Sequence, residues 1–148
     1  MEEVTRQEED IQEEREEREV KKWKQEQKKK KREIIEKLVL DLMLKGGFTI
    51  VKRNADFEEF KKLDGYIVSI TSFDCLTFDD VKKVLSIAYD LLQEDTLLGG
   101  WYDAGKRGFN LTVDLNIWVE DKNEAVKLGF RCKQKAIWDI KSGCEIYI

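Results

Sequence analysis

Apolar and polar residues alternate most regularly over residues 109–119, FNLTVDLNIWV. The odd positions from Phe109 to Val119 are all apolar, and the even positions are polar except for Trp118. Because successive side chains of a strand point to opposite faces, this alternation predicts a long strand with one buried and one solvated face.

A different pattern covers residues 2–45 and predicts one long helix. Glu, Lys, Arg and Gln, which are good helix formers, dominate the first 32 positions. An apolar face begins at Ile34 and continues to Leu44, so we expect this inner half to pack on the rest of the chain. The outer half has only four apolar residues: Val4, Ile11, Val20 and Trp23.

Shorter patterns fill the rest of the chain. Beside the long strand, apolar or β-branched runs predict strands at 48–52, 66–71, 97–103, 136–140 and 145–148, with a hairpin turn at 104–108. Helices are predicted at 56–63 with Asp56 as N-cap, at 77–93, and at 120–133. The sequence therefore predicts an α+β fold, with a mixed β-sheet of about five to six strands and two to three helices on one face. The long charged N-terminal α-helix precedes it, which divides the chain into 1–45 and 46–148.

The amino-acid composition excludes several kinds of catalytic and metal site. The chain has no histidine, which excludes Ser–His and Cys–His nucleophile systems and histidine-ligated zinc. The three cysteines are Cys75, Cys132 and Cys144; their odd number and lack of CxxC spacing predict buried, reduced thiols in a cytosolic protein. We expect no signal peptide, no membrane span and no cofactor.

Charge is distributed unevenly along the predicted helix. Residues 1–19 carry ten acidic residues and three arginines, giving −7, whereas residues 20–32 carry eight basic residues and Glu26, giving +7. These two blocks cancel, so residues 33–148 hold the whole net charge of −4.

A set of short motifs in fixed order resembles a known family. They are Gly47-Phe48-Thr49, Gly65 to Ser69, Leu98 to Asp103 with Gly105-Lys106, Asp114, Glu124-Ala125, Leu128-Gly129, Gln134, Ala136-Ile137, Asp139 and Gly143 to Ile146. Over residues 47–148 they resemble a family of small uncharacterised proteins and domains carried by bacteriophages, plasmids and other bacterial mobile elements. That family's Tyr-Leu-Asp-Val-Ser is here Leu111 to Leu115 in shifted register, and residues 1–45 are an extension. The resemblance implies a mobile genetic element and the cytoplasm of a bacterial host, but no activity.

The basic block is a candidate nucleic-acid site. Eight basic residues and the stacking aromatic Trp23 fall within three helical turns, a pattern typical of phosphate binding. They are Lys21, Lys22, Lys24, Lys28, Lys29, Lys30, Lys31 and Arg32. The alternatives are a solvated helix or self-association, since an antiparallel partner helix would set −7 against +7.

Other residues offer weaker candidates. Asp103, Asp114 and Asp139 lie at or within strands and could hold Mg²⁺ with a glutamate, although single strand carboxylates are usually solvated. The Gly99-Gly100 pair before Trp101 could form a ligand loop, but we favour a bulge or close backbone approach with Trp101 in the core. Trp118 and Trp138 interrupt polar positions and are either partner anchors or packed under another segment.

Three functional hypotheses follow from these patterns. The first is a non-catalytic macromolecule-binding protein, whose mobile-element setting favours an inhibitor of a host defence nuclease, as an anti-CRISPR protein is. The second is a nucleic-acid-binding accessory protein using residues 21–32, and the third is a carboxylate–metal enzyme. The first needs the fewest assumptions, so we predict no enzymatic activity and a protein partner that contacts Trp23, Trp118, Trp138, Tyr102 and Asp114.

Overall fold

The structure, a computed structural model, describes residues 2–54 and 56–148, with side chains from Thr5 onward; the side chain of Val4 lies outside the described residues. The described residues form three α-helices: α1 (Glu2–Lys45), α2 (Phe78–Leu91) and α3 (Lys122–Arg131). Seven strands complete the fold: β1 (Gly47–Arg53), β2 (Asp56–Glu59), β3 (Tyr66–Cys75), β4 (Leu97–Tyr102), β5 (Leu111–Val119), β6 (Ala136–Asp139) and β7 (Cys144–Tyr147). The α+β class and the long N-terminal helix are confirmed.

The seven strands form one sheet in the order β2-β1-β4-β5-β3-β6-β7, and every neighbouring pair is antiparallel. The predicted mixed sheet is therefore wrong, and the sheet has more strands than expected. Hairpins explain the antiparallel order in part: β4 pairs with β5 after an eight-residue connection, and β6 pairs with β7. Sequential strands joined by short loops can pair only in this direction.

The additional strand is β2, where the sequence predicted a helix over 56–63. Phe57 pairs with Lys52 of β1, and its ring stacks on Tyr89 of α2 with 4.8 Å between centroids. Asp56 accepts a hydrogen bond from the backbone N–H of Phe57 instead of capping a helix. Tertiary pairing with β1 thus overrides the local helix propensity of a glutamate- and lysine-rich segment.

The two short helices begin within one or two residues of the predicted starts, at Phe78 and Lys122. The hydroxyl of Thr77 accepts a hydrogen bond from the backbone N–H of Asp80 at 3.1 Å, and the Asp121 carboxylate accepts one from Glu124 at 3.0 Å. Both are N-caps that satisfy an otherwise unpaired helical donor.

The chain divides into two compact units, residues 1–35 and residues 36–148. In the second unit α2 and α3 lie on the sheet face that carries Leu111, Val113, Val68 and Ile137, which we call the helix-covered face. The last turns of α1 contribute the buried residues Leu38, Val39 and Leu42 to the core of this unit.

The cysteines only partly match the expectation. All three are free thiols; Cys75 is buried, Cys132 is half-buried and Cys144 is exposed. Cys144 lies in the edge strand β7, which has a neighbour on one side only, so the expectation of a buried residue is wrong there. Among the described residues, no helix is both long and apolar enough to cross a membrane.

Candidate protein-interaction surface

The second face of the sheet carries the candidate site, and we call it the open face. Strand register places Trp101 of β4, Thr112, Asp114 and Trp118 of β5, and Ser72 of β3 on it. Near β1, Val51, Leu97, Gly99 and Asn116 of this face are buried, whereas the rest of it is solvent-exposed or half-buried. Away from these four residues, the open face is thus a solvated surface on an antiparallel sheet.

Trp118 stands at one end of the open face and is held in place. Its indole N–H donates to the carbonyl oxygen of Asp64 at 2.8 Å, and the ammonium of Lys62 lies 4.4 Å from its ring centroid. Gly65 lets the chain pass close by, because a Cβ there would lie 2.7 Å from Cε2 of the indole. Of the two alternatives for Trp118, its contacts favour packing under another segment, and only part of its ring is available to a partner.

Trp138 is the more accessible aromatic on the same face. Ile67 pairs with Trp118 on one side and with Trp138 on the other, so the three side chains form a row across β5, β3 and β6. Trp138 is 41% exposed and Tyr147 of β7 is 78% exposed. Since indole and phenol rings gain much on burial, this row can anchor a protein partner.

Trp101 is the residue that sequence reasoning misjudged, because it was expected in the core. It is 54% exposed, pairs with Gly47 of β1, and has Cε3 only 2.9 Å from the place where a Cβ of Gly47 would lie. The glycine across the strand pair is what lets the indole lie flat on the sheet. The pairing of Trp101 with a glycine could have indicated that its ring lies on the sheet surface, but this pairing can be recognised only when the β1–β4 register is known.

Asp114 lies beside Trp101 on the open face. Its carboxylate accepts a hydrogen bond from Nδ2 of Asn116 at 3.1 Å, and the Trp101 side chain lies close enough to favour the ionised form of the carboxyl. Gly99 opposite leaves room, because a Cβ there would overlap Oδ1 of Asp114. Burial raises the pKa of the Asp114 carboxyl, and its interactions with Asn116, with the Trp101 side chain and with its own backbone lower the pKa in part. The carboxylate is therefore placed to orient the Trp101 ring.

Polar side chains in the middle of the open face are paired with one another. The hydroxyl of Thr112 donates to Oδ1 of Asp74 at 3.3 Å, and the hydroxyls of Ser69 and Ser72 lie 3.4 Å apart. These bonds fix the polar groups before any partner arrives, which reduces the entropy lost on binding.

Two predicted partner-binding residues lie elsewhere. Tyr102 is on the helix-covered face, where its ring contacts Phe78 of α2 with 5.7 Å between centroids. Trp23 belongs to the unit of residues 1–35 and is 60% exposed on α1. The structure therefore brings Trp118, Trp138 and Asp114 to one face, and adds Trp101 to them.

The basic block is on α1, where Lys21, Lys22, Lys24, Lys28, Lys29 and Arg32 are exposed and Lys30 and Lys31 are half-buried. Lys29 lies 3.9 Å from Glu33 in an i,i+4 ion pair. This geometry is compatible with phosphate binding and equally with a salt-paired solvated helix.

The acidic residues considered for a metal site do not share one location. Asp114 lies on the open face. Asp139 pairs with Tyr66 on the helix-covered face, and its carboxylate accepts a hydrogen bond from the backbone N–H of Lys141. The Asp103 carboxylate accepts a hydrogen bond from the backbone N–H of Gly105. Among the side chains that the structure describes, those of residues 5–54 and 56–148, no group of three or more acidic or cysteine residues could hold a metal ion.

Comparison of the chain with protein-family models, with curated proteins and with solved structures returns no match.

Proposed function

We propose that the chain is a non-catalytic protein-binding module that contacts its partner through the open face. The observation that carries this proposal is the exposure of Trp101, Trp138 and Tyr147 on one sheet face. Tryptophan and tyrosine dominate the binding energy of protein interfaces, and exposed apolar patches on a folded protein commonly mark such sites.

The charge around the aromatic residues favours a partner with a basic surface. Asp74 and Glu145 are exposed acidic residues of this face. Residues 33–148, which include the unit of residues 36–148, carry a net charge of −4. Exposed aromatic rings with acidic residues near them fit a partner surface that carries arginine and lysine beside apolar groups. Nucleases present such basic surfaces to nucleic acid. Together with the mobile-element resemblance, this favours inhibition of a host defence nuclease as the biological role.

The test combines a genetic readout with surface variants. The full chain would be expressed in bacteria that carry a defence nuclease, and phage plaques would be counted with and without it. We expect protection of the phage by the wild type and its loss in Trp101→Ala/Trp138→Ala. A double variant of exposed apolar residues on α2, Ile87→Ala/Leu91→Ala, is the matched control and should keep full protection.

Purified nuclease and chain then test binding directly by titration calorimetry. Loss of an anchoring tryptophan should weaken binding by about 30-fold or more, the usual effect of a central hot-spot residue. Binding that the tryptophan variants leave unchanged would contradict the open face as the contact surface. An absence of phage protection against both restriction and CRISPR nucleases would remove the inhibitor role and leave only protein binding.

The alternative function is nucleic-acid binding by Lys21 to Arg32. It is supported by the exposure of six of the eight basic side chains. It predicts retention of DNA or RNA that weakens steeply with salt and disappears when Lys28 and Lys29 are changed to glutamine.

A further inference from the structure

The outer half of α1 has one side whose residues recur every three and four positions, like the contact side of a coiled coil. Its members are Glu13, Glu16, Val20, Trp23, Gln27 and Lys30, which we call the seam. The spacings of three and four alternate without interruption, which keeps all six on one side of a helix. Val20 is 51% exposed and Trp23 60% exposed at its centre.

Charge along the seam selects one kind of occupant. The seam is acidic before Val20 and basic after Trp23, following the division of the helix into a −7 block and a +7 block. A parallel second copy would set acid against acid and base against base. An antiparallel second copy sets each block against its opposite, so the molecule complements itself.

The residue types also fix the register. If Val20 of one copy packs on Trp23 of the other, two-fold symmetry makes the same contact twice. The same alignment puts Glu16 opposite Gln27 and Glu13 opposite Lys30. A shift by one heptad in one direction would place Trp23 against Glu13, where an acid meets an aromatic ring, and a shift in the other direction would place Val20 against Lys30.

We propose that the chain self-associates through an antiparallel pair of α1 helices, aligned by Val20 on Trp23 and by Glu13 opposite Lys30. Only two apolar side chains per copy lie at the centre, so the association is weak and depends on ionic attraction. The proposal concerns residues 1–35 and is independent of the open face.

Sedimentation equilibrium of the full chain at low and high salt tests it. We expect a monomer–dimer equilibrium at low salt that shifts to monomer as salt rises. Glu13→Lys and Lys30→Glu should each lower the association constant about tenfold, because two ion pairs per dimer change from attraction to repulsion. An equimolar mixture of the two variants should recover wild-type association, since the lysine introduced in one variant then faces the glutamate introduced in the other.

Two variants on the opposite side of the helix, Glu14→Lys and Lys22→Glu, make the same charge changes away from the seam. They should associate like the wild type. A monomer at every concentration and salt overturns the proposal, as does a mixture that fails to recover. Retention of a random-sequence oligonucleotide by monomeric chain, reduced alike by Lys22→Glu and Lys30→Glu, would overturn it in favour of nucleic-acid binding.

Discussion

Replacing Gly99 with alanine tests whether the Asp114 carboxylate lies against bare backbone. The new Cβ would overlap Oδ1 of Asp114 and come within 3.2 Å of Nδ2 of Asn116. Added atoms in a packed site cost about 1–3 kcal/mol. Removing a strand glycine returns about 0.5–1 kcal/mol. We therefore expect Gly99→Ala to lower the free energy of unfolding by about 1 kcal/mol, the difference between the middle values of these two ranges.

A double-mutant cycle isolates the contact from the general effect of losing a glycine. In Asp114→Ala the overlapping oxygen is absent, so adding Gly99→Ala should cost nothing further or even stabilise the protein. The coupling between the two changes is then about 1–3 kcal/mol, well outside the error of urea unfolding followed by circular dichroism.

The control is Gly105→Ala, whose Cβ would meet only Oδ1 of Asp103 at 3.4 Å, an ordinary contact. It should change the free energy of unfolding by less than about 0.5 kcal/mol. If the costs of Gly99→Ala and Asp114→Ala add within about 0.5 kcal/mol, the carboxylate does not occupy the space above Gly99 and the account of Trp101 positioning fails.

Two further predictions concern the same face. Burial holds the folded pKa of Asp114 above its unfolded value of about 3.9, so between these two pKa values the folded state binds more protons than the unfolded state. The free energy of unfolding should therefore fall as pH rises through that interval. Urea unfolding at a series of pH values should show this fall in the wild type and not in Asp114→Asn. Gly65→Ala should destabilise the protein by about 2–4 kcal/mol, because an alanine with φ of +87° is strained and its Cβ would displace the Trp118 indole. An unchanged free energy of unfolding, together with an unshifted indole N–H resonance of Trp118, would contradict this prediction.

Local patterns sufficed where one element's own residues determine its form. The alternation from Leu111 to Val119 and the charged run to Lys45 specify a strand and a helix without reference to any neighbour. The segment Asp56–Glu59 shows the limit, because its strand form depends on β1 and on the ring of Tyr89. No residue within 56–63 carries that information.

The same limit applies to the candidate site. Trp118 and Trp138 could be noticed in the sequence because each interrupts a polar series, and both lie on the open face. Trp101 and Tyr102 could not be assigned to faces, since the run Leu97–Tyr102 is apolar or glycine throughout and has no alternation to follow. Register with β5 assigns them: Trp101 pairs with polar Thr112, and Tyr102 with buried Leu111.

The role inferred for Asp114 changes once its position in the fold is known. From sequence it was a candidate metal ligand or partner contact, because an acid within a strand is unusual. In the fold its carboxylate is turned to the Asn116 amide and the Trp101 indole, with glycine beneath it. A carboxylate held in this way contributes to partner binding indirectly, by orienting the Trp101 ring that the partner contacts. Asp114→Asn, which keeps an acceptor oxygen, should therefore weaken partner binding far less than Trp101→Ala, whereas an acid that contacts the partner directly would make the two losses comparable.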